Sequence, residues 1–169
     1  GYYALLFCES LLSKPEIQEQ QEQTAAVVPV AVRIGVLFMV EIQGKSERKI
    51  EIKDFSLKRS ANNYEIKLLF ENTGNLDIKA DGNFSIMDKN GMVYGRGLFD
   101  DVYTLPKDQA TFSAKWKDIL ARGTYDLILT IDLGKALQDY DLGRGPIVVK
   151  EAQLEIGENG EVVKIGELK

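Results

Sequence analysis

The sequence contains no histidine, a single cysteine (Cys8), a single tryptophan (Trp116) and four prolines among 169 residues. Without histidine, a Ser-His-Asp or Cys-His nucleophile and any His-ligated zinc, iron or copper site are excluded within this chain. One cysteine excludes an internal disulfide and every multi-Cys metal site. Positive charge is in the minority: 21 Lys+Arg stand against 26 Asp+Glu, a formal −5. Nucleic-acid recognition needs a clustered basic surface, so no nucleic-acid partner is expected. Helical signal is scarce as well, because no long capped segment places apolar residues at i, i+3, i+4 and i+7. What remains is ordinary for a soluble globular chain, with 44% hydrophobic and 28% charged residues, which argues against wholesale disorder and collagen-like repeats. No enzymatic activity and no cofactor are expected.

Short runs of period-two alternation dominate, rich in Val, Ile, Leu, Tyr and Phe and separated by Gly, Asn and Asp turns. Ile50 and Ile52 share a face; after Asp54 the pattern resumes out of phase at Phe55 and Leu57, which predicts a bulge or bend. Tyr64, Ile66 and Leu68 alternate with Glu65 and Lys67, and Asn72-Thr-Gly-Asn75 closes that strand. Phe84 and Ile86 form the next run, and Asp88-Lys-Asn-Gly91 reads as a hairpin turn. Met92–Tyr94, Ala110–Trp116 and Tyr125–Ile131 supply further strands. The last large strand ends at Glu151–Ile156, and Glu158-Asn-Gly160 turns the chain into Val162-Val163. Many short strands at this spacing predict an all-β, immunoglobulin-like β-sandwich.

An internal echo subdivides the chain. Gly1-Tyr-Tyr-Ala-Leu-Leu-Phe7 parallels Gly123-Thr-Tyr-Asp-Leu-Ile-Leu129, and Pro29-Val-Ala-Val-Arg33 parallels Pro146-Ile-Val-Val-Lys150. Each pair reads as a Gly-x-Tyr strand, a variable loop and a Pro-initiated apolar strand. Residues 1–44 are therefore expected to be the last strands of a partial first sandwich, and 45–169 a complete second one. A strand at the first residue also implies that the chain begins part-way through a longer protein. Gly-x-Tyr has a mechanical reading: a Tyr near the start of a penultimate strand caps its corner through the hydroxyl, a role assigned first to Tyr125 and then to Tyr3.

The segment Glu16–Thr24, rich in Gln and Glu, reads as a loop between the two strands of the first domain. The stretch Val27–Ile42 is the most hydrophobic. A membrane-spanning helix wants ~20 apolar residues; this run is shorter, interrupted by Pro29, Arg33, Gly35 and Glu41, and rich in β-branched residues, so it reads as a long strand. Val32, Ile34, Val36, Phe38 and Val40 fall on one face, and Leu37 and Met39 on the other. One face suits a sandwich core; the other needs cover, since an exposed flat apolar strand is a pairing hazard, and the candidates to cover it are the second domain, a bound peptide strand and a second copy of the chain. Val32, Arg33, Ile34, Val36 and Phe38 are the candidate partner-binding residues. The expected partner is a protein or peptide strand added by β-augmentation, with self-association through exposed strand edges as a further route.

Weaker motifs receive structural readings. Asp88–Gly91 lacks the later ligands of a calcium loop. Asp100-Asp101 reads as a solvated loop, because neighbours on a strand point to opposite faces. Gly95-Arg-Gly97 reads as a strand-end kink and Gly143-Arg-Gly-Pro146 as a loop, neither with the lysine and helix of a phosphate loop. Trp116 reads as a core plug, with sugar stacking as its functional alternative. Cys8 reads as a small hydrophobe or an unactivated free thiol.

The order Gly1–Phe7, a long loop, the extended Val30–Ile42 strand and then directly a second sandwich resembles the middle of periplasmic pilus-assembly chaperones. In that family a long final strand of the first domain lends alternating apolar side chains to an incomplete pilin sandwich. The resemblance implies that Val32, Ile34, Val36 and Phe38 play this part, that Arg33 is the one basic residue available to anchor a subunit carboxylate, and that the protein is extracytoplasmic. A looser similarity, through Phe70-Glu-Asn-Thr-Gly-Asn75 and Phe84-Ser-Ile-Met-Asp-Lys-Asn-Gly91, links the chain to Ig-like modules of bacterial surface proteins. That similarity implies a structural spacer or surface-anchoring module instead. An auxiliary module of a carbohydrate-active enzyme is the third reading.

Overall fold

A computed structural model describes residues 2–10, 31–40, 47–60, 63–134 and 146–169. The chain divides into two compact units, Gly1–Ile42 and Gln43–Lys169. The expected loops at 16–24 and 143–145 lie outside the described residues.

In the first unit, β1 (Tyr2–Glu9) and β2 (Arg33–Val40) form a two-stranded antiparallel hairpin. Pairing runs without a break from Tyr2 opposite Val40 to Glu9 opposite Arg33. Val32 lies just before the strand, its carbonyl accepting the backbone N–H of Ser10 at 2.9 Å.

The second unit is a sandwich of two antiparallel sheets. Strands β3 (Ile50–Ser60), β4 (Asn63–Asn72) and β7 (Gln109–Trp116) make a three-stranded sheet in the order β3-β4-β7. Strands β5 (Ile78–Met87), β6 (Val93–Thr104), β8 (Gly123–Asp132), β9 (Ile147–Ile156) and β10 (Val162–Ile165) make the other, ordered β10-β9-β8-β5-β6. The chain crosses between sheets after β4, β6 and β7, as Greek-key immunoglobulin-like sandwiches do. Alternation explains the burial. Tyr64, Ile66, Leu68 and Phe70 of β4 face Ile78, Phe84 and Ile86 of β5 and Leu127, Leu129 and Ile131 of β8, all at 5% exposure or less, while the intervening positions face outward. Rings knit the layers together: Phe112 meets Phe99 at 5.3 Å, and Trp116 meets Phe84 at 5.2 Å and stacks on Tyr64 at 4.7 Å.

The phase change in the first strand of this unit is a bulge, since β3–β4 register shifts between Ile52 and Asp54. The Asp88–Gly91 turn joins β5 to β6, with Gly91 at φ +82°, a conformation that costs glycine no steric penalty. The corner at β8 is also as expected: the Tyr125 hydroxyl donates to the Ala121 carbonyl at 2.9 Å. Val162-Val163 extends the sheet edge as β10 against β9.

Two expectations are corrected in β6, which runs to Thr104 instead of ending near Tyr94. Gly95 and Gly97 are no strand-end kink; they lie within the strand where core rings press on the backbone. A Cβ on Gly97 would sit 2.6 Å from the Phe84 ring, and one on Gly95 would sit 3.1 Å from Trp116 Nε1. Asp100 and Asp101 belong to the strand as well. Val102 pairs with Ala80 and Phe99 with Gly82, so two aspartates oppose one residue in a bulge and both stay exposed.

Candidate functional site

The hairpin of the first unit is built from alternation alone. Paired residues opposite each other share a face, so Tyr2, Ala4, Leu6 and Cys8 of β1 lie beside Val40, Phe38, Val36 and Ile34 of β2. This face carries no charge. The opposite face holds Tyr3, Leu5, Phe7 and Glu9 beside Met39, Leu37, Gly35 and Arg33.

Among the described residues, neither face is core. Tyr2 is 67% exposed, Leu6 52%, Ile34 60%, Phe38 50% and Val40 58%; on the other side Leu5, Phe7 and Leu37 are 44–55% exposed. Two strands supply only one layer, and a second layer is needed to bury either side.

The structure brings Ile34, Val36 and Phe38 together on the uncharged face, with Val32 in the same phase before the strand. Arg33 is separated from them. Its guanidinium lies 3.4 Å from the Glu9 carboxylate and 5.2 Å from the Phe7 ring centre, at the end of the opposite face. Gly35 makes this possible, because a Cβ there would come within 3.1 Å of the Phe7 ring. Sequence reasoning placed the binding residues on the second strand alone. The first strand contributes half of the same surface through Tyr2, Leu6 and Cys8, a signal present in its own alternation.

The second unit has a groove of about 490 Å³ at its open side, between the edges of β3 and β9. Ile50, Ile52, Phe55, Val148 and Leu168 form its apolar part. Lys150 sits in the inward-facing register between Val148 and Ala152. An inward-directed lysine on a sheet edge discourages further strand pairing. The segment after β10 covers the rest of β9, with the Glu151 and Lys169 backbones exchanging hydrogen bonds of 3.2 and 2.9 Å.

The other sequence candidates have structural places. Trp116 is buried, at 6% exposure, and offers no surface platform for a sugar ring. Asp101 lies 3.4 Å from Lys79. The Asp88 carboxylate accepts the Met92 and Asn90 backbone N–H groups at 3.0 and 2.8 Å. The Met92 bond, then those from Asn90 and the Tyr94 hydroxyl, hold its pKa below the usual carboxylate value. This carboxylate organises a turn. Cys8 is exposed. Among the described residues, no group of three or more His, Cys, Asp or Glu is placed to hold a metal ion, and no helix is long and apolar enough to cross a membrane.

No family model matches the chain, and no curated protein matches it. Solved structures do. The C-terminal domain of wzt is similar over 73% of this chain and 83% of its own, at 14% identity and a TM-score of 0.49. Beta-glucosidase 3B from Thermotoga neapolitana, in complex with glucose, is similar over 60% of this chain and 16% of its own, at 15% identity and a TM-score of 0.38.

Proposed function

We propose that the protein is a non-enzymatic, extracytoplasmic binding or assembly module that docks onto a β-element of another polypeptide through its β1–β2 hairpin. One observation carries this reading: the hairpin leaves large apolar side chains exposed on both faces. Monomeric soluble proteins rarely leave contiguous apolar surface of that kind uncovered. On this reading the first unit is the end of an Ig-like domain, and Val32, Ile34, Val36 and Phe38 act as the resemblance to pilus-assembly chaperones implies. Main-chain hydrogen bonds at the strand edges supply affinity, and the alternating side chains supply selectivity. Arg33, turned to the other face beside Glu9, is not part of the apolar row.

The test uses the whole chain and a synthetic extended peptide with alternating apolar residues. The double substitution Ile34→Asp with Val36→Asp places charge in the row and is expected to abolish peptide binding. Trp116 emission reports whether the second unit stays folded. Unchanged binding by the variant would refute the proposal.

A further inference from the structure

The groove between β3 and β9 lies wholly within the second unit, and its β9 wall can form hydrogen bonds. In an antiparallel strand, alternate residues turn their backbone groups to opposite sides. Glu151 exchanges hydrogen bonds with Lys169, and the Gln153 carbonyl accepts the Gly166 N–H, so odd-numbered residues of β9 point away from β8. The Pro146 carbonyl accepts the Leu133 N–H at the end of β8, which places the even-numbered residues on the other side. Ile147 and Val149 share the parity of Glu151. Among the described residues, nothing pairs with their outward N–H and C=O groups. The edge here is regular as well, since β8–β9 pairing runs without a shift from Gly123 opposite Ile156 to Asp132 opposite Ile147.

The charge in the groove is specific. Lys53 is held by Glu51 and Glu71 at 3.0 and 3.2 Å, and the Asp54 carboxylate accepts the Phe55 N–H at 2.9 Å. Lys150 is half-buried beside Val148, and among the described residues it has no ion pair or hydrogen-bond partner. Such a lysine rejects any strand that would cover its ammonium without a counter-charge. A strand that brings a carboxylate to it meets the opposite situation, because the pair forms a charge-assisted hydrogen bond. A purely repulsive lysine also needs no apolar trough beneath it, whereas Ile50, Ile52, Phe55 and Leu168 supply one.

We infer that this groove is a second binding site, independent of the hairpin, for an extended segment of another polypeptide with a carboxylate side chain two residues from an apolar one. The segment lies along β9 as a short added strand and exchanges main-chain hydrogen bonds with Ile147 and Val149. Residues opposite each other on neighbouring strands have Cβ atoms about 4.5–5.5 Å apart. The carboxylate opposite Lys150 is therefore within its reach, and the apolar side chain opposite Val148 enters the trough.

Calorimetric titration tests this on the full chain carrying Ile34→Asp and Val36→Asp, so that the hairpin row does not contribute. One synthetic peptide alternates Val and Thr with Asp at its central Val position; a second has Asn there, and a third has Lys. The Asp peptide is expected to bind about tenfold or more tightly than the Asn peptide. Lys150→Met keeps an apolar stem and is expected to erase that preference. Lys150→Glu is expected to reverse it in favour of the Lys peptide. Trp116 emission reports that the second unit of each variant is folded. Failure of the Asp peptide to bind, equal binding of the Asp and Asn peptides, or a preference that survives Lys150→Met would overturn the inference. None of these outcomes bears on the hairpin, whose own test uses a peptide without charge.

Discussion

Gly97→Ala isolates one packing decision in the second unit. The added methyl would lie 2.6 and 2.9 Å from two atoms of the Phe84 ring. That ring is 1% exposed and has Trp116 and Phe99 at 5.2 and 5.9 Å, so it has little room to withdraw. Two effects oppose each other. Replacing glycine by alanine restricts the unfolded chain and stabilises by about 0.4–1 kcal/mol where the backbone is compatible. Overpacking a filled core costs about 1–3 kcal/mol. The steric term wins, and the net expectation is a loss of about 1–2 kcal/mol. With a urea dependence of about 1–3 kcal/mol per molar, the midpoint should fall by roughly 0.5–1 M. The single tryptophan makes the assay local, since Trp116 touches the displaced ring and its emission follows unfolding of this unit. Phe84→Leu in the same background should recover part of the loss, giving a coupling term between the sites. An unchanged or higher midpoint for Gly97→Ala would refute the account of why β6 carries glycine there.

Two other predictions concern the turns that frame the sandwich. Tyr125→Phe removes the 2.9 Å hydrogen bond to the Ala121 carbonyl and should cost about 0.5–1.5 kcal/mol, measured by urea unfolding. The Asp88 pKa is depressed in the folded protein, chiefly by the Met92 backbone N–H. Its stabilisation is therefore present above the unfolded carboxyl pKa, near 3.9, and lost as pH falls through the lower folded value. Asp88→Asn should flatten that part of the acid stability profile. A variant profile parallel to the wild type below about pH 4 would contradict this assignment.

Much of the second unit was legible because its determinants are local. The phase slip between Ile52 and Phe55 marks a bulge, Asn90-Gly91 marks a turn, and Tyr125 two residues after Gly123 marks a corner. Each signal is contained within a few residues. Strand β6 was not legible beyond its first residues. Gly95 and Gly97 weaken a strand pattern, and their reason lies in Trp116 and Phe84, which approach from other strands. Asp100 and Asp101 break alternation by forming a bulge against Ala80–Gly82, a relation only pairing reveals. The candidate site shows the same division. Period two puts Ile34, Val36 and Phe38 on one face; Arg33, grouped with them as a candidate binding residue, lies on the other face beside Glu9. The surface that combines them with Tyr2, Ala4, Leu6 and Cys8 depends on the β1–β2 register, which the sequence of either strand leaves open.

The central claim is that the uncharged hairpin face is covered by another polypeptide when the protein works. Amide hydrogen exchange on the full chain, with and without a saturating extended peptide of alternating apolar residues, tests it most directly. A two-stranded hairpin alone is marginal in water and should exchange quickly, whereas a covered one should be protected. Protection across residues 3–9 and 34–40 that appears on adding the peptide, with the second unit unchanged, is the predicted result. Equal exchange of these residues with and without the peptide would contradict it.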